Sequence, residues 1–173
     1  MTLSQGFPPI ARGDARVLIL GSLPGARSIE MQQYYAHPQN AFWKIMRDAF
    51  AIDGDYVTRC QQLVEHRIAL WDVLHSSVRP GSMDADIRLS SAGANDFATF
   101  LHDHTQIRLM LFNGKTAQQL FARFVATQSI ADGIQTRGLP STSPAYAAMP
   151  FSDKLEAWRT ALTEQQEGRG GES

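Results

Sequence analysis

The chain has 173 residues, 43% of them hydrophobic and 19% charged, with a single cysteine and a formal net charge of −1. That length suits one domain with a two- or three-layer core, and the lone Cys60 excludes an internal disulfide framework, a multi-cysteine zinc site and a four-cysteine iron–sulfur cluster. A charge near zero gives no global field for a polyanion, so a nucleic-acid partner would need a local basic face.

No apolar run approaches the ~18 residues of a membrane span. The opening "MTLSQGFPPIARGDAR" carries Pro and charge where a signal peptide needs an apolar core, so a cytoplasmic protein with no membrane contact is expected. Residues 1–15 read as an irregular arm. Four short apolar runs then read as buried strands: Val17 to Leu20, Ile68 to Leu74, Ile107 to Phe112 and, less strongly, Ile134 to Pro140.

Helical periodicity fills the intervals. It runs through Phe42, Ile45, Met46 and Phe50, through Tyr56, Cys60 and Leu63, through Phe97, Phe100 and Leu101, and through Ala117, Leu120, Phe121 and Val125. A last helix is expected to be capped by Ser152 and to turn Leu155, Trp158 and Leu162 inward. Alternating strands and helices predict an α/β fold, with helices on both faces of a mainly parallel four-stranded sheet. One domain over residues 16–165 and a disordered tail over 166–173 complete the expected organisation.

In such a sheet the loops after the strands carry the ligand site. The first, "GSLPGARSIEMQQYYAHPQN", opens with a tight Gly-Pro turn that matches neither the Walker nor the dinucleotide Gly spacing. Within it, Asn40 reads either as the cap of the next helix or as an amide held toward a ligand. Tyr34 and Tyr35 read as packing or as stacking rings, and His37 as a titrating group or a bonded loop residue. Asp72 interrupts an apolar strand, where a carboxylate must be paired, exposed or used on a ligand.

Arg79 in "SSVRPG" reads as a phosphate contact or a solvated loop residue. "NGKT", from Asn113 through Lys115 to Thr116, is a strand-to-helix junction suited to an anion or simply a turn. "LPSTSPAYAAMP" offers Ser141, Thr142 and Ser143 to phosphate oxygens and the Tyr146 ring as a wedge. Their joint placement on one sheet edge carries more weight than any one of them.

In the order "LILGSLPG…QYYAHPQNAFWKIM", "RPGSMDADI", "LFNGKTA", "LPSTSPA", the chain resembles the uracil-DNA glycosylase superfamily. The branch it is most similar to is that of hypoxanthine-DNA (deoxyinosine) glycosylases, close to the mismatch-specific uracil glycosylases. The similarity runs from about Arg16 to Trp158 and implies a three-layer α/β/α sandwich. It also implies a monofunctional DNA glycosylase that flips a deaminated base, most of all hypoxanthine, and removes it with water as nucleophile. Neither metal nor cofactor is expected.

Where the mismatch-specific uracil branch has a water-positioning Asn, this chain has Leu23, which has no hydrogen-bonding group. The resemblance therefore places the catalytic amide at Asn40. It implies that Tyr35 stacks on the base, that Asp72 meets the base edge, and that Ser22, Leu23 and Asn113 complete the base pocket. Arg79, Lys115, Ser141, Thr142 and Ser143 are the residues expected to meet the DNA, the last three in the loop that the resemblance matches to the family's DNA clamp. The family's usual wedge Leu is absent, leaving Tyr146 as the candidate.

The expected partner is double-stranded DNA bearing a deaminated base, with single-stranded DNA second, and the expected state is a monomer. Uracil or mixed deaminated-base excision is the alternative enzyme, and a non-catalytic lesion-binding module or a small-molecule α/β enzyme are the readings from other classes.

Overall fold

A computed structural model describes residues 3–79 and 83–167. In chain order the strands are β1 (Leu3–Gln5), β2 (Val17–Gly21), β3 (Ile68–Asp72), β4 (Leu74–Val78), β5 (Gly93–Ala94), β6 (Leu109–Asn113) and β7 (Gln135–Leu139). The helices are α1 (Ala26–Met31), α2 (Phe42–Phe50), α3 (Tyr56–Glu65), α4 (Phe97–Asp103), α5 (Lys115–Phe124) and α6 (Phe151–Glu167). β3, β2, β6 and β7 form the expected four-stranded sheet in that order, every pair parallel.

The uninterrupted apolar runs of β2, β3 and β6 follow from burial on both faces. Val17 and Ile19 join Phe42, Ile45, Leu63 and Trp158 in one core, so α2, α3 and α6 cover that face. Leu18 and Leu20 join Phe97, Phe100, Leu120 and Phe121 in the other, so α4 and α5 cover the opposite face. The result is an α/β/α sandwich. β7 reads weakly in the sequence because it is an edge strand with only Leu139 buried, and its Arg137 pairs with Glu164 at 3.0 Å.

Five expectations change. Residues 1–15 are not an irregular arm throughout, because β1 pairs antiparallel with β4, and Ile10 bridges Leu70. The run Ile68 to Leu74 is two strands in two sheets, since β4 leaves the parallel sheet to join a three-stranded antiparallel one with β1 and β5. The short helix α1 lies inside the loop that the sequence left irregular.

Ser152 does not cap the last helix but lies inside its first turn: the helix starts at Phe151, with the Pro150 carbonyl accepting from the amides of Asp153 and Lys154. Gln166 and Glu167 continue that helix, and the rest of the expected disordered tail, 168–173, lies outside the described residues.

The break after β3 matters most for the site. Val73 N–H donates to the Gly21 carbonyl at 2.8 Å and Leu74 N–H to the Ser22 carbonyl at 3.1 Å. The chain is thus held against the end of β2 while it changes sheets.

Candidate active site

A cavity of about 760 Å³ opens at the carboxyl ends of the four parallel strands. Its walls come from the turn after β2, from Asp72 at the end of β3, from the β6–α5 junction, and from the loop between β7 and α6. No described helix is long and apolar enough to cross a membrane.

Asp72 lies at the cavity with only 3% of its surface exposed, and its Oδ2 has no hydrogen-bond partner. Burial, then the charge of Asp84, push its carboxyl up to about 7, against the opposing pull of Arg79. Gly21 is required beside it: a Cβ there would stand 2.5 Å from Asp72 Oδ1 and 3.0 Å from the Tyr35 hydroxyl. That hydroxyl is also buried without a hydrogen-bond partner, and burial together with Asp72 pushes its pKa above the usual phenol range. Unsatisfied buried polar atoms are uncommon in folded proteins, and two in one cavity mark a place for a ligand.

The loop from Tyr34 to Asn40 is fixed from several sides. Tyr34 N–H donates to the Tyr56 hydroxyl at 3.0 Å, Trp43 Nε1 to the Tyr34 carbonyl at 2.9 Å, and Ala36 N–H to Ser28 Oγ at 3.1 Å. These contacts hold Tyr35 at φ 55°, a left-handed conformation that costs energy for a residue with a Cβ. The Tyr35 ring packs on Phe42, with centroids 4.3 Å apart and planes tilted by 32°.

Asn40 Oδ1 accepts from Phe42 N–H at 2.9 Å, which orients the side chain from within its own loop. Ala41, not Asn40, is the residue that precedes α2. Among the described residues Asn40 Nδ2 has no hydrogen-bond partner, and the residue lines the cavity.

The wall from Leu139 to Pro150 is clamped by bonds that use up its polar groups. Asn113 Nδ2 donates to Thr142 Oγ1 and Thr142 N–H donates back to Asn113 Oδ1, both at 2.9 Å. Ala41 N–H donates to the Thr142 carbonyl at 2.9 Å, and Trp158 Nε1 to the Pro140 carbonyl at 2.9 Å. Lys154 Nζ, its pKa lowered by burial, donates to the Tyr146 carbonyl at 2.7 Å. The tip at Tyr146 itself stays 41% exposed.

Residues 8–164 match the family model described as the uracil DNA glycosylase superfamily. The chain belongs to that superfamily. Among curated relatives it is 34% identical over 146 residues to "Hypoxanthine DNA glycosylase" of Methanosarcina acetivorans, covering 83% of this chain and 88% of that protein. It is 39% identical over 114 residues to the protein of the same name from Methanosarcina barkeri, covering 64% and 71%. Among solved structures, the solution NMR structure of a presumptive uracil DNA glycosylase from Methanosarcina acetivorans superposes with a TM-score of 0.76 at 32% identity. That match covers 94% of this chain and 99% of the other.

In this superfamily member the residues expected around a base do share one cavity: Ser22, Leu23, Tyr35, Asn40, Asp72 and Asn113 all line it. Leu23 belongs to an apolar core and supplies no side-chain hydrogen bond. Ser22 is not free, because its hydroxyl donates to Asp84 Oδ1 at 2.5 Å. Of the expected DNA contacts, Lys115 is exposed at the first turn of α5, and Ser141 and Ser143 are half-buried in the cavity wall.

Two others are buried and bonded within the protein. Arg79 is only 5% exposed and donates to the carbonyls of Leu23 and Pro24, so it braces the turn after β2. Thr142 is buried and fully engaged with Asn113 and Ala41. Sequence reading passed over Asp84, Ser28 and Lys154. They sit in loops or on a helix face with no periodic signal, and only the fold brings each to its partner.

Proposed function

We propose that this protein is a monofunctional DNA glycosylase that extrudes hypoxanthine from double-stranded DNA as a monomer, hydrolyses its N-glycosidic bond, and so starts base-excision repair. The observation that carries it is Asp72, buried with Oδ2 unpaired, in the same cavity as Asn40, whose Nδ2 has no partner among the described residues. Membership of the superfamily and the two relatives named hypoxanthine DNA glycosylase support the choice of chemistry and base.

The base must leave the stack to reach a cavity of this depth. Inside, a purine edge presents both acceptors and donors, and a carboxyl that titrates near neutrality can answer either kind. As the C1′–N9 bond breaks, its electron pair moves onto the purine, and protonated Asp72 donates to a ring nitrogen as that charge develops. The sugar becomes oxocarbenium-like, and the phosphates of the DNA help stabilise it. A water held by the Asn40 amide adds through oxygen to C1′ and passes a proton to solvent, leaving an abasic site while the purine departs with the proton from Asp72. Orientation is all this late-attacking water needs, so a neutral amide suffices. Leu23 at the turn after β2 cannot take that role.

The test is mass-spectrometric detection of free base after incubation with duplexes carrying one hypoxanthine or one uracil. Hypoxanthine release well ahead of uracil is expected. Preferential uracil release would overturn the choice of base, and DNA binding with no base released would make the protein a lesion-binding module.

A further inference from the structure

The loop from Tyr34 to Asn40 has a second concave side. Behind it lies a cleft of about 270 Å³, and Tyr34, Tyr35, His37 and Asn40 line both this cleft and the large cavity. Three cationic side chains converge on the cleft: Lys44 and Arg47 from α2 and Arg59 from α3. The carboxylate among its walls is Asp53, whose Oδ1 already accepts from Gly54 N–H at 2.8 Å. In a chain of net charge −1 this is a local concentration of positive charge beside the loop that bears the water-holding amide.

Arg59 is the informative member. Its guanidinium carbon sits 4.7 Å from the centre of the Trp43 ring and 5.8 Å from that of Tyr56, so the rings hold the group by its face. Its Nε is buried with no hydrogen-bond partner. Asp55 feels its charge but accepts from Thr58 N–H at 2.9 Å and makes no ion pair with it. Among the described residues neither Arg59 nor Lys44 pairs with a carboxylate, whereas Arg47 reaches Asp48 at 3.3 Å. An oriented, unpaired guanidinium beside a free ammonium matches a phosphodiester: planar donors for two oxygens and a point charge for the remainder.

We infer that this cleft is a phosphate subsite, holding a backbone phosphodiester of the damaged strand that flanks the nucleotide extruded into the large cavity. The placement rests on the reading that the large cavity takes a nucleotide from DNA. With its sugar at Asn40, that nucleotide continues into a neighbouring phosphate on one side of the loop, and the cleft is the basic concavity the same loop walls.

The experiment measures affinity for duplexes with and without a lesion, over a range of salt, for the whole protein and for Lys44→Gln, Arg59→Gln and the double variant. Each variant is checked by thermal unfolding, and exposed Lys44 secures the test if Arg59→Gln loosens the Trp43 packing. Each change should weaken binding roughly 3- to 10-fold and lower the slope of log affinity against log salt by about 1.

A duplex with one neutral methylphosphonate beside the lesion should reproduce the loss in the parent protein and add nothing to it in the double variant. Equal affinities and slopes in folded variants would overturn the subsite. So would full additivity at every flanking linkage, which would assign the cleft to a free anion. Slopes that fall on both duplexes while no base is released would leave the subsite standing and remove the glycosylase reading.

Discussion

Two strand ends a few residues from one another in the sheet show opposite fates for a buried polar side chain. At the end of β6, Asn113 is buried and satisfied, exchanging two 2.9 Å bonds with Thr142 and so clamping the wall after β7. At the end of β3, Asp72 is buried and unsatisfied, with Oδ2 empty and its carboxyl pushed up to about 7. A buried polar group left unpaired costs stability, and a structural group would have acquired a partner. The contrast separates a residue that builds the cavity from one kept open for what enters it.

The contrast can be broken at four places. The largest effect is expected for Asn40→Ala, the other group facing the cavity. Base release should fall at least about 10²-fold, as for loss of a positioned transition-state donor. Thermal unfolding should show a loss of only about 1 kcal/mol from the Phe42 N–H bond. A variant that retains full activity would remove Asn40 from the chemistry.

Asp72→Asn should act on stability in the opposite sense to an ordinary core mutation. The Asp72 carboxyl titrates near 7 in the fold, against an ordinary value near 3.8. The stability it contributes is therefore complete below about pH 4 and is lost as pH rises through about 7. The amide has no proton to lose. Denaturant melts across pH 4 to 8 should show the variant gaining on the parent by roughly 2–4 kcal/mol, most of it between pH 4 and 7. A constant difference would mean that Asp72 has a partner after all.

Asn113→Ala should cost about 2 kcal/mol at any pH in that range, because Thr142 loses both bonds while remaining buried. The smallest change is expected for Tyr146→Ala at the exposed tip. Its backbone carbonyl keeps the Lys154 bond, so unfolding should shift by less than about 0.5 kcal/mol. Duplex affinity should fall roughly 5- to 10-fold if the ring wedges into the stack. Fluorescence anisotropy with a labelled duplex measures it.

The parallel sheet and its helices were legible because unbroken apolar runs such as Val17 to Leu20 and period-3.6 burial such as Phe42 to Phe50 are written directly into the sequence. Membership of the cavity was legible for Asn40, Asp72 and Asn113, since strand ends and the loops after them are fixed once the sheet is. The state of each group was not. Nothing in "SSVRPG" shows that Arg79 turns inward to the carbonyls of Leu23 and Pro24, because that depends on β4 leaving the first sheet for a second. Thr142 and Asn113 lie 29 positions apart, and their mutual satisfaction appears only when the loop is folded onto β6.

The most direct measurement is the pH dependence of single-turnover hypoxanthine release by the parent protein and by Asp72→Asn. If the open carboxyl of Asp72 donates to the departing purine, the parent rate falls as pH rises through about 7 and the variant is slower with that limb gone. Superimposable profiles of equal height would contradict it and would leave Asp72 with no part in the chemistry.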